Sequence, residues 1–266
     1  MSRRAAGAES AANRHRRPPT AAAATAAVAA HAQGKGQIRR ANEARIADAA
    51  ERVFARAGLN GATMLEIAAE ARLPKANLHY YFGSKPSLYR AVLTRTLQGW
   101  LVPADVIHRE AEPRAALEAY IRAKMAMSFE RPDASRVFAN ELLHGAPVLR
   151  DVLRDELRAQ IRHKAAVIDG WIAAGRMAPV DSTHLFFTIW AATQTYADFE
   201  VQVCAVLGRD TLDARQRKRA TDHVVTLLLR GCGLERVSAA APGTRASPAR
   251  RAIQATNRRF PASKEA

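Results

Sequence analysis

The 266-residue sequence lacks the features that mark several large classes of protein. Its two cysteines, Cys204 and Cys232, show no metal-binding spacing, and we interpret them as structural thiols in a reducing cytosol. No run of about 18 apolar residues is present, so we expect no membrane-spanning segment and a cytoplasmic location. Paired carboxylates, a nucleophile elbow and a phosphate-binding loop are also missing. We therefore predict that the protein is not an enzyme and uses no catalytic residue, metal or cofactor.

Acidic residues are few compared with basic ones, and the formal net charge of +16 indicates a polyanionic partner. Residues 1–40 carry eight Lys or Arg and one acid, and residues 236–266 carry seven and one. We predict that both ends are disordered basic tails, although the Ala-rich residues 20–32 can form a transient helix. The tails can act as arms that bind phosphates or be dispensable solvated ends, and both interpretations remain open.

Between the tails the sequence follows a helical pattern and shows no strand-like alternation. Glycine and proline divide it into segments of helical length. We therefore predict an all-α fold of about nine to ten helices. A small domain is expected at residues 41–90 and a larger helical domain at residues 91–235.

Residues 63–85, TMLEIAAEARLPKANLHYYFGSK, predict two short helices joined by a tight turn. Thr63 and Glu66 have the spacing of a capping box that begins the first helix. Pro74 suits the first position of the second helix, and Gly83 its end. This pattern is typical of a helix-turn-helix, which places its second helix in the major groove of DNA. A three-helix domain with some exposed polar residues but no DNA-binding role remains the alternative.

Side chains on the second helix and at the start of the next suit contacts with DNA. Asn77 can pair with adenine through two hydrogen bonds. Lys85 lies in the first turn of the following helix, an unfavourable place for a cation unless a phosphate binds there.

The segments 43–58, 59–71 and 73–93 together resemble the DNA-binding domain of the TetR family of transcriptional regulators. The resemblance implies that this domain binds double-stranded DNA and that His79, Tyr80 and Lys85 contact it. One departure is Arg72, because the family usually has glycine there; if the turn needs a positive φ, Arg72 adds strain. The predicted DNA-binding residues are Thr63, Lys75, Ala76, Asn77, His79, Tyr80 and Lys85.

The segments 117–149 and 169–208 resemble one subgroup of this family, the regulators of pyrimidine utilisation (Rut). The resemblance implies a homodimeric repressor, sometimes an activator, whose DNA affinity falls when a small effector such as uracil or thymine binds. Apolar stripes on the helix at 184–203 and on the last helix are consistent with a four-helix dimer interface, or with the core of a monomer. A two-fold dimer requires a near-palindromic operator.

A pyrimidine base needs flat apolar walls and a few well-placed polar groups. The amide of Gln or Asn matches the imide edge of uracil, with one donor beside one acceptor. Gln194 lies one helical turn after Trp190, so both project from the same face. Each candidate can instead be an ordinary core residue or a backbone-bonded amide. The predicted ligand-binding residues are Trp190, Gln194, Asn140, Glu141, Trp100, Trp171 and Phe129.

Two other functions stay open at this stage. The first is regulation of a different small-molecule pathway by a protein of the same type. The second is non-specific, nucleoid-type DNA binding driven by the basic tails.

Overall fold

The computed structural model of the protein describes the backbone of residues 21–235 and the side chains of residues 36–235. The predicted tail at 236–266 and the first 20 residues of the predicted N-terminal tail lie outside the described residues. Within residues 21–235 every regular element is helical, so the all-α prediction is confirmed. The α-helical segments are α1 (Ala21–Gly61), α2 (Met64–Ala71), α3 (Lys75–Phe82), α4 (Lys85–Leu101), α5 (Pro113–Glu130), α6 (Pro132–Leu143), α7 (Arg150–Val152), α8 (Arg158–Ala173), α9 (Ser182–Asp198), α10 (Glu200–Leu207) and α11 (Ala214–Gly231).

A short 3₁₀ helix, Val102–Val106, follows α4. A π-helical turn, Leu153–Leu157, links α7 to α8 without a break. If α7, this turn and α8 are taken as one rod, the number of helices among the described residues agrees with the predicted nine to ten.

Helix α1 begins at Ala21, about twenty residues before the expected start of the folded domain at residue 41. Residues 21–32 are mostly alanine, which has the highest helix propensity of all residues. At its other end the helical backbone is interrupted at Gly58, where φ is 65°. This break coincides with the end of the segment 43–58 that resembles the first helix of the DNA-binding domain.

The turn between α2 and α3 has the local geometry that its residues favour. Thr63 caps α2 by accepting from the Glu66 N–H at 3.1 Å, and the Glu66 carboxylate accepts from the Thr63 N–H at 2.8 Å. Arg72 ends α2 in the left-handed conformation, with φ 52° and ψ 45°. Both the capping box and the need for a positive φ at Arg72 are confirmed. Pro74 lies one position earlier than expected, as the residue before α3.

Two hydrophobic clusters form the core. The first joins α1–α4 with α6 through side chains such as Ile46, Ile67 and Leu78, which are fully buried. The second packs α5, α8, α9 and α11 around Tyr120 and Phe186. Helices α4 and α6 carry side chains of the first cluster, while α4 also packs on the 3₁₀ helix and α6 on α5 and α9, so these two helices join the two clusters.

A group of charges reinforces this connection. The Glu51 side chain on α1 is largely buried and accepts from Arg95 on α4 at 3.1 Å and from Arg131 at the junction of α5 and α6. Asp48 also pairs with Arg95, at 2.6 Å. One carboxylate thus ties α1 to α4 and to the junction of α5 and α6.

Among the described residues, no helix combines the length and the apolar character that crossing a bilayer requires.

Candidate functional site

Helix α3 presents a short row of accessible side chains. Leu78 is fully buried and anchors the helix on the first cluster. Lys75, Ala76 and His79 are exposed, and Tyr80 is 73% exposed. Asn77 is half-buried, and Thr63 is exposed at the start of α2. The predicted DNA-binding residues of α3 therefore lie on its accessible surface.

Two aromatic residues of α3 have defined surroundings. The Nδ1 of His79 lies 2.9 Å from the carbonyl oxygen of Gly83. Because a carbonyl can only accept, Nδ1 carries the proton and Nε2 is left to face the solvent. The Tyr80 ring packs edge-on against Tyr81, with centroids 5.0 Å apart. Asn42 on α1 donates to the Tyr81 hydroxyl at 3.1 Å, which fixes this aromatic pair.

Lys85 has a structural partner that the sequence did not reveal. Its ammonium donates to the carbonyl oxygens of Ala62 at 2.7 Å and Asn60 at 3.3 Å, in the connection between α1 and α2. These carbonyls offset the unfavourable position of a cation at the start of α4. Its phosphate contact remains a prediction.

Residues from the N-terminal part of α1 also lie beside α3. Gly36, Ile38 and Arg39 share a surface groove with Tyr80 and Tyr81. Residues 36–39 fall within the predicted N-terminal tail, so this neighbourhood was not expected from the sequence. An Arg side chain next to exposed aromatic rings is a suitable contact for a DNA backbone.

The larger domain encloses a cavity of about 210 Å³. This volume is below the roughly 300–1,000 Å³ of pockets for drug-sized ligands, so a ligand of a single small ring suits it. Its apolar walls come from α4, α5, α6, the π-helical turn, α8 and α9. The cavity lies where the two hydrophobic clusters meet, because Leu97 and Phe138 of the first cluster line it together with Tyr120 and Ile161 of the second.

Three of the predicted ligand-binding residues, Trp100, Trp190 and Gln194, meet at this cavity. The Trp100 ring packs on Phe138, with centroids 4.8 Å apart. The indole N–H of Trp190 donates to the Tyr120 hydroxyl at 2.9 Å. Gln194 has no hydrogen-bond partner for its amide within residues 36–235, so the amide can serve a ligand.

The other four predicted ligand residues do not line this cavity. Glu141 is buried and accepts from the backbone N–H groups of Val148 and Leu149, at 2.6 and 3.2 Å. Trp171 is a core residue whose indole donates to a backbone carbonyl. Phe129 packs edge-on against Tyr196 of α9, and Asn140 lies beside Gly58. These contacts match the ordinary core and capping roles that the sequence had left open.

Four further polar residues of the cavity were not predicted: Tyr120 and Lys124 on α5, and Gln160 and Lys164 on α8. Lys124 is only 3% exposed, and its ammonium lies 4.2 Å from the centroid of the Trp100 ring. Burial lowers the pKa of Lys124 to about 8, although the charge of Asp198 partly opposes this shift. Burial also raises the pKa of Tyr120 to about 12, so its hydroxyl stays protonated. Since this hydroxyl accepts the indole N–H of Trp190, its own proton is free to donate into the cavity.

A signal for Lys124 does exist in the sequence. It follows Tyr120 by four residues, on a helix face that otherwise carries Leu117, Ile121 and Ser128. A lysine on the buried face of an amphipathic helix is unusual unless it has a partner. Lys164 also borders the cavity, but its ammonium already contacts Asp105 and the Ile107 carbonyl, both at 3.3 Å.

The arrangement suits binding rather than catalysis. Aromatic rings form flat walls, while Lys124 and Tyr120 offer donors and Gln194 offers both a donor and an acceptor. Among the described residues, no group of three His, Cys, Asp or Glu side chains is placed to hold a metal ion.

A helix-turn-helix with an exposed second helix, joined to a helical domain with a cavity, is the architecture of a helix-turn-helix regulator. Two family profiles match the chain over these regions. The profile described as "Bacterial regulatory proteins, tetR family" matches residues 46–92. The profile described as "YcdC-like protein, C-terminal region" matches residues 93–235. The chain therefore belongs to the TetR family of DNA-binding transcriptional regulators.

Individual relatives agree with this assignment. The HTH-type transcriptional regulator RutR of Escherichia coli strain K12 is 42% identical over 186 residues, which cover 70% of this chain and 88% of RutR. A regulatory protein of the tetR family from Rhodococcus RHA1 has a TM-score of 0.57 at 22% identity, covering 71% of this chain and 95% of its own. AibR, solved with isovaleryl coenzyme A and operator DNA, has a TM-score of 0.54 at 19% identity; the match covers 70% of this chain and 97% of AibR. These two structures support the fold alone. The matched proteins are regulators and not enzymes.

Proposed function

We propose that the protein is a dimeric repressor whose affinity for operator DNA falls when uracil or thymine binds in the cavity. The observation that carries this proposal is the meeting of Trp100, Trp190 and Gln194 around one small enclosed space. The similarity to RutR supports the choice of ligand, since our sequence analysis found the same resemblance in the larger domain. As a DNA-binding regulator, it is proposed to act in the bacterial cytoplasm.

The cavity offers partners for three of the four polar groups of a pyrimidine-dione. Such a ring has two carbonyl oxygens and two N–H groups in one plane. The Gln194 amide can pair with one N–H and the adjacent carbonyl, as the imide edge requires. Lys124 and Tyr120 can donate to the second carbonyl oxygen, while Trp100 and Trp190 cover the faces of the ring.

Exposed apolar residues support the pairing of two copies. Val201 and Val206 on α10 are 84% and 80% exposed, and Leu227 on α11 is 59% exposed. Large apolar side chains exposed on α10 and α11 are consistent with an interaction surface. In a two-fold dimer the two copies of α3 would read the two halves of a near-palindromic operator through Asn77 and its neighbours.

The position of the cavity suggests how the ligand acts on DNA binding. Its walls include Leu97 and Trp100 of α4 and Phe138 of α6, and these helices pack directly on α1 of the DNA-binding domain. A ligand that fits one arrangement of α4 and α6 better than another shifts the population of the two arrangements. We propose that the ligand-bound arrangement holds the two reading helices at a spacing that the operator does not match.

A thermal-shift experiment tests the ligand part of the proposal. A ligand that binds the folded state alone raises the melting temperature by mass action. We expect uracil and thymine to raise the melting temperature. Cytosine should raise it less, because its exocyclic amine disrupts the imide edge. In Gln194→Leu the three bases should no longer differ in their effect on the melting temperature. If neither uracil nor thymine shifts the transition, the pyrimidine effector is wrong and the DNA-binding role stands.

The charge of the chain ends favours a second function, non-specific DNA binding through the basic tails, since residues 1–40 and 236–266 carry most of the net charge. A DNA footprint made with the chain lacking residues 1–20 and 236–266 separates operator-specific binding from non-specific binding. We expect the shortened chain to protect one palindromic site with weaker overall affinity. Complete loss of DNA binding would favour the second function.

A further inference from the structure

A second groove lies against the outer side of the cavity wall. It has a volume of about 520 Å³ and is bordered by the π-helical turn, α8 and the start of α9. Leu153, Leu157, Ile161 and Trp190 line both the groove and the cavity. These four side chains therefore form a wall that the cavity and the groove share. A π-helical turn in such a wall is notable because these turns are rare and are often found at functional sites.

Three arginines, Arg154, Arg158 and Arg162, project into this groove. They follow each other at intervals of four residues along one helical rod, and all three are exposed. Within residues 36–235 none of their guanidinium groups has a hydrogen-bond or ion-pair partner, although most other arginines of the two domains have one. Asp155 and Glu156 lie on the same turn but do not line the groove.

The opposite side of the groove is aromatic. The Phe187 ring is about half exposed and lies 5.7 Å from the Trp190 ring, at an interplanar angle of 54°. Thr183 adds a hydroxyl at the same side. A flat ring can stack on Phe187 while a charged substituent reaches the arginines, which bind carboxylate and phosphate through two hydrogen bonds each.

We propose that this groove is an outer binding site for a planar anion, that is, an aromatic or heterocyclic ring bearing a carboxylate or a phosphate. Neither the groove nor the cavity is lined by a carboxylate among the described residues, so the local field attracts anions. Because Trp190 borders both spaces, an occupant of the groove alters the wall of the cavity. The site does not require that the cavity binds uracil.

The test uses the full-length protein and isothermal titration with orotate and uridine 5′-monophosphate, which carry a carboxylate and a phosphate, and with uracil as the neutral reference. We expect at least one of the two anions to bind, with an affinity that falls as salt is raised. Arg158→Gln should lower the affinity for that anion about tenfold, because a charge-assisted hydrogen bond is lost. Arg158→Lys should restore part of the affinity. Uracil should be unaffected by either variant.

Arg109→Gln is the matched control, because Arg109 is exposed and makes no side-chain hydrogen bond in the described part of the chain. It removes the same charge at a distance from the groove and should leave anion binding unchanged. The proposal is overturned if neither anion binds, if Arg109→Gln and Arg158→Gln weaken the anion equally, or if Arg158→Gln changes only the self-association measured by analytical ultracentrifugation. Binding of an anion without binding of uracil would support the groove and refute the proposed effector.

Discussion

The proposed DNA-reading surface and the proposed effector cavity differ in how their residues come together. The reading surface is carried by eight consecutive residues, Lys75–Phe82, fixed by one buried leucine and two helix ends. The cavity draws its walls from five α-helices, the 3₁₀ helix and a π-helical turn, and its polar groups are separated by up to 74 positions in sequence, from Tyr120 to Gln194. A site on one helix is encoded locally, whereas an enclosed site depends on the packing of the whole domain.

Removing the buried cation of the cavity should have the largest effect. We expect Lys124→Met to lower the affinity for uracil by tenfold or more, since a charged donor is lost. The same variant should make the unliganded protein more stable near neutral pH, because the apolar cavity no longer has to hold an ammonium ion. Because the pKa of Lys124 is lowered from 10.5 to about 8, the unfolding free energies of the variant and the native protein should differ on the order of 3 kcal/mol below pH 8.

The sign of the pH dependence follows from proton binding. Between pH 8 and about 10.5 the unfolded chain keeps the Lys124 proton while the folded protein has lost it, so this group makes stability rise with pH. Urea denaturation at several pH values should show this rise in the native protein and its absence in Lys124→Met. Lys218→Met, at an exposed lysine, is the control. An identical pH profile in Lys124→Met and the native protein would show that Lys124 is hydrated.

The charge group between the domains should have the next largest effect. Glu51→Gln leaves Arg95 and Arg131 without their shared carboxylate. We expect a loss of about 2–3 kcal/mol in unfolding free energy, less than for a fully buried pair because both arginines are partly exposed. If the group connects the two regions, the variant should also reduce the effect of uracil on DNA affinity. Unchanged stability would mean that solvent replaces these contacts.

On the reading surface, Asn77→Ala and Lys75→Ala should separate two kinds of contact. Losing a side chain that pairs with a base should cost about 1–2 kcal/mol for the selected operator and little for other sequences. Losing an exposed cation should weaken binding to all duplexes alike and lower the salt dependence of the DNA affinity. Fluorescence anisotropy with specific and random duplexes measures both. Equal losses on both duplexes in Asn77→Ala would refute its role in reading bases.

The smallest effect is expected at the turn. Arg72 adopts φ 52°, where a Cβ is strained, and its carbonyl accepts from Arg45 at 3.0 Å. Arg72→Gly keeps that backbone contact and relieves the strain, so we expect a gain of about 0.5–1 kcal/mol in unfolding free energy. A loss of stability in this variant would show that the Arg72 side chain contributes more than its backbone costs.

Local rules predicted much of the fold. The capping box at Thr63, the end of α3 at Gly83 and the positive φ at Arg72 are each determined by neighbours within a few residues. Trp190 and Gln194 were found for the same reason, since they lie four apart on one helix. By contrast, the partners of Lys85 come from residues more than 20 positions away, and those of Glu141 follow a turn that the periodicity does not encode.

The clearest measurement of the proposed mechanism is the operator affinity as a function of uracil concentration, using a palindrome selected by the protein from random duplexes. We predict that saturating uracil weakens operator binding of the native protein at least tenfold. Gln194→Leu should bind the operator equally well without uracil and should not respond to uracil. Operator affinity that is independent of uracil in the native protein, or a full response in Gln194→Leu, would contradict the assignment of the cavity as the effector site.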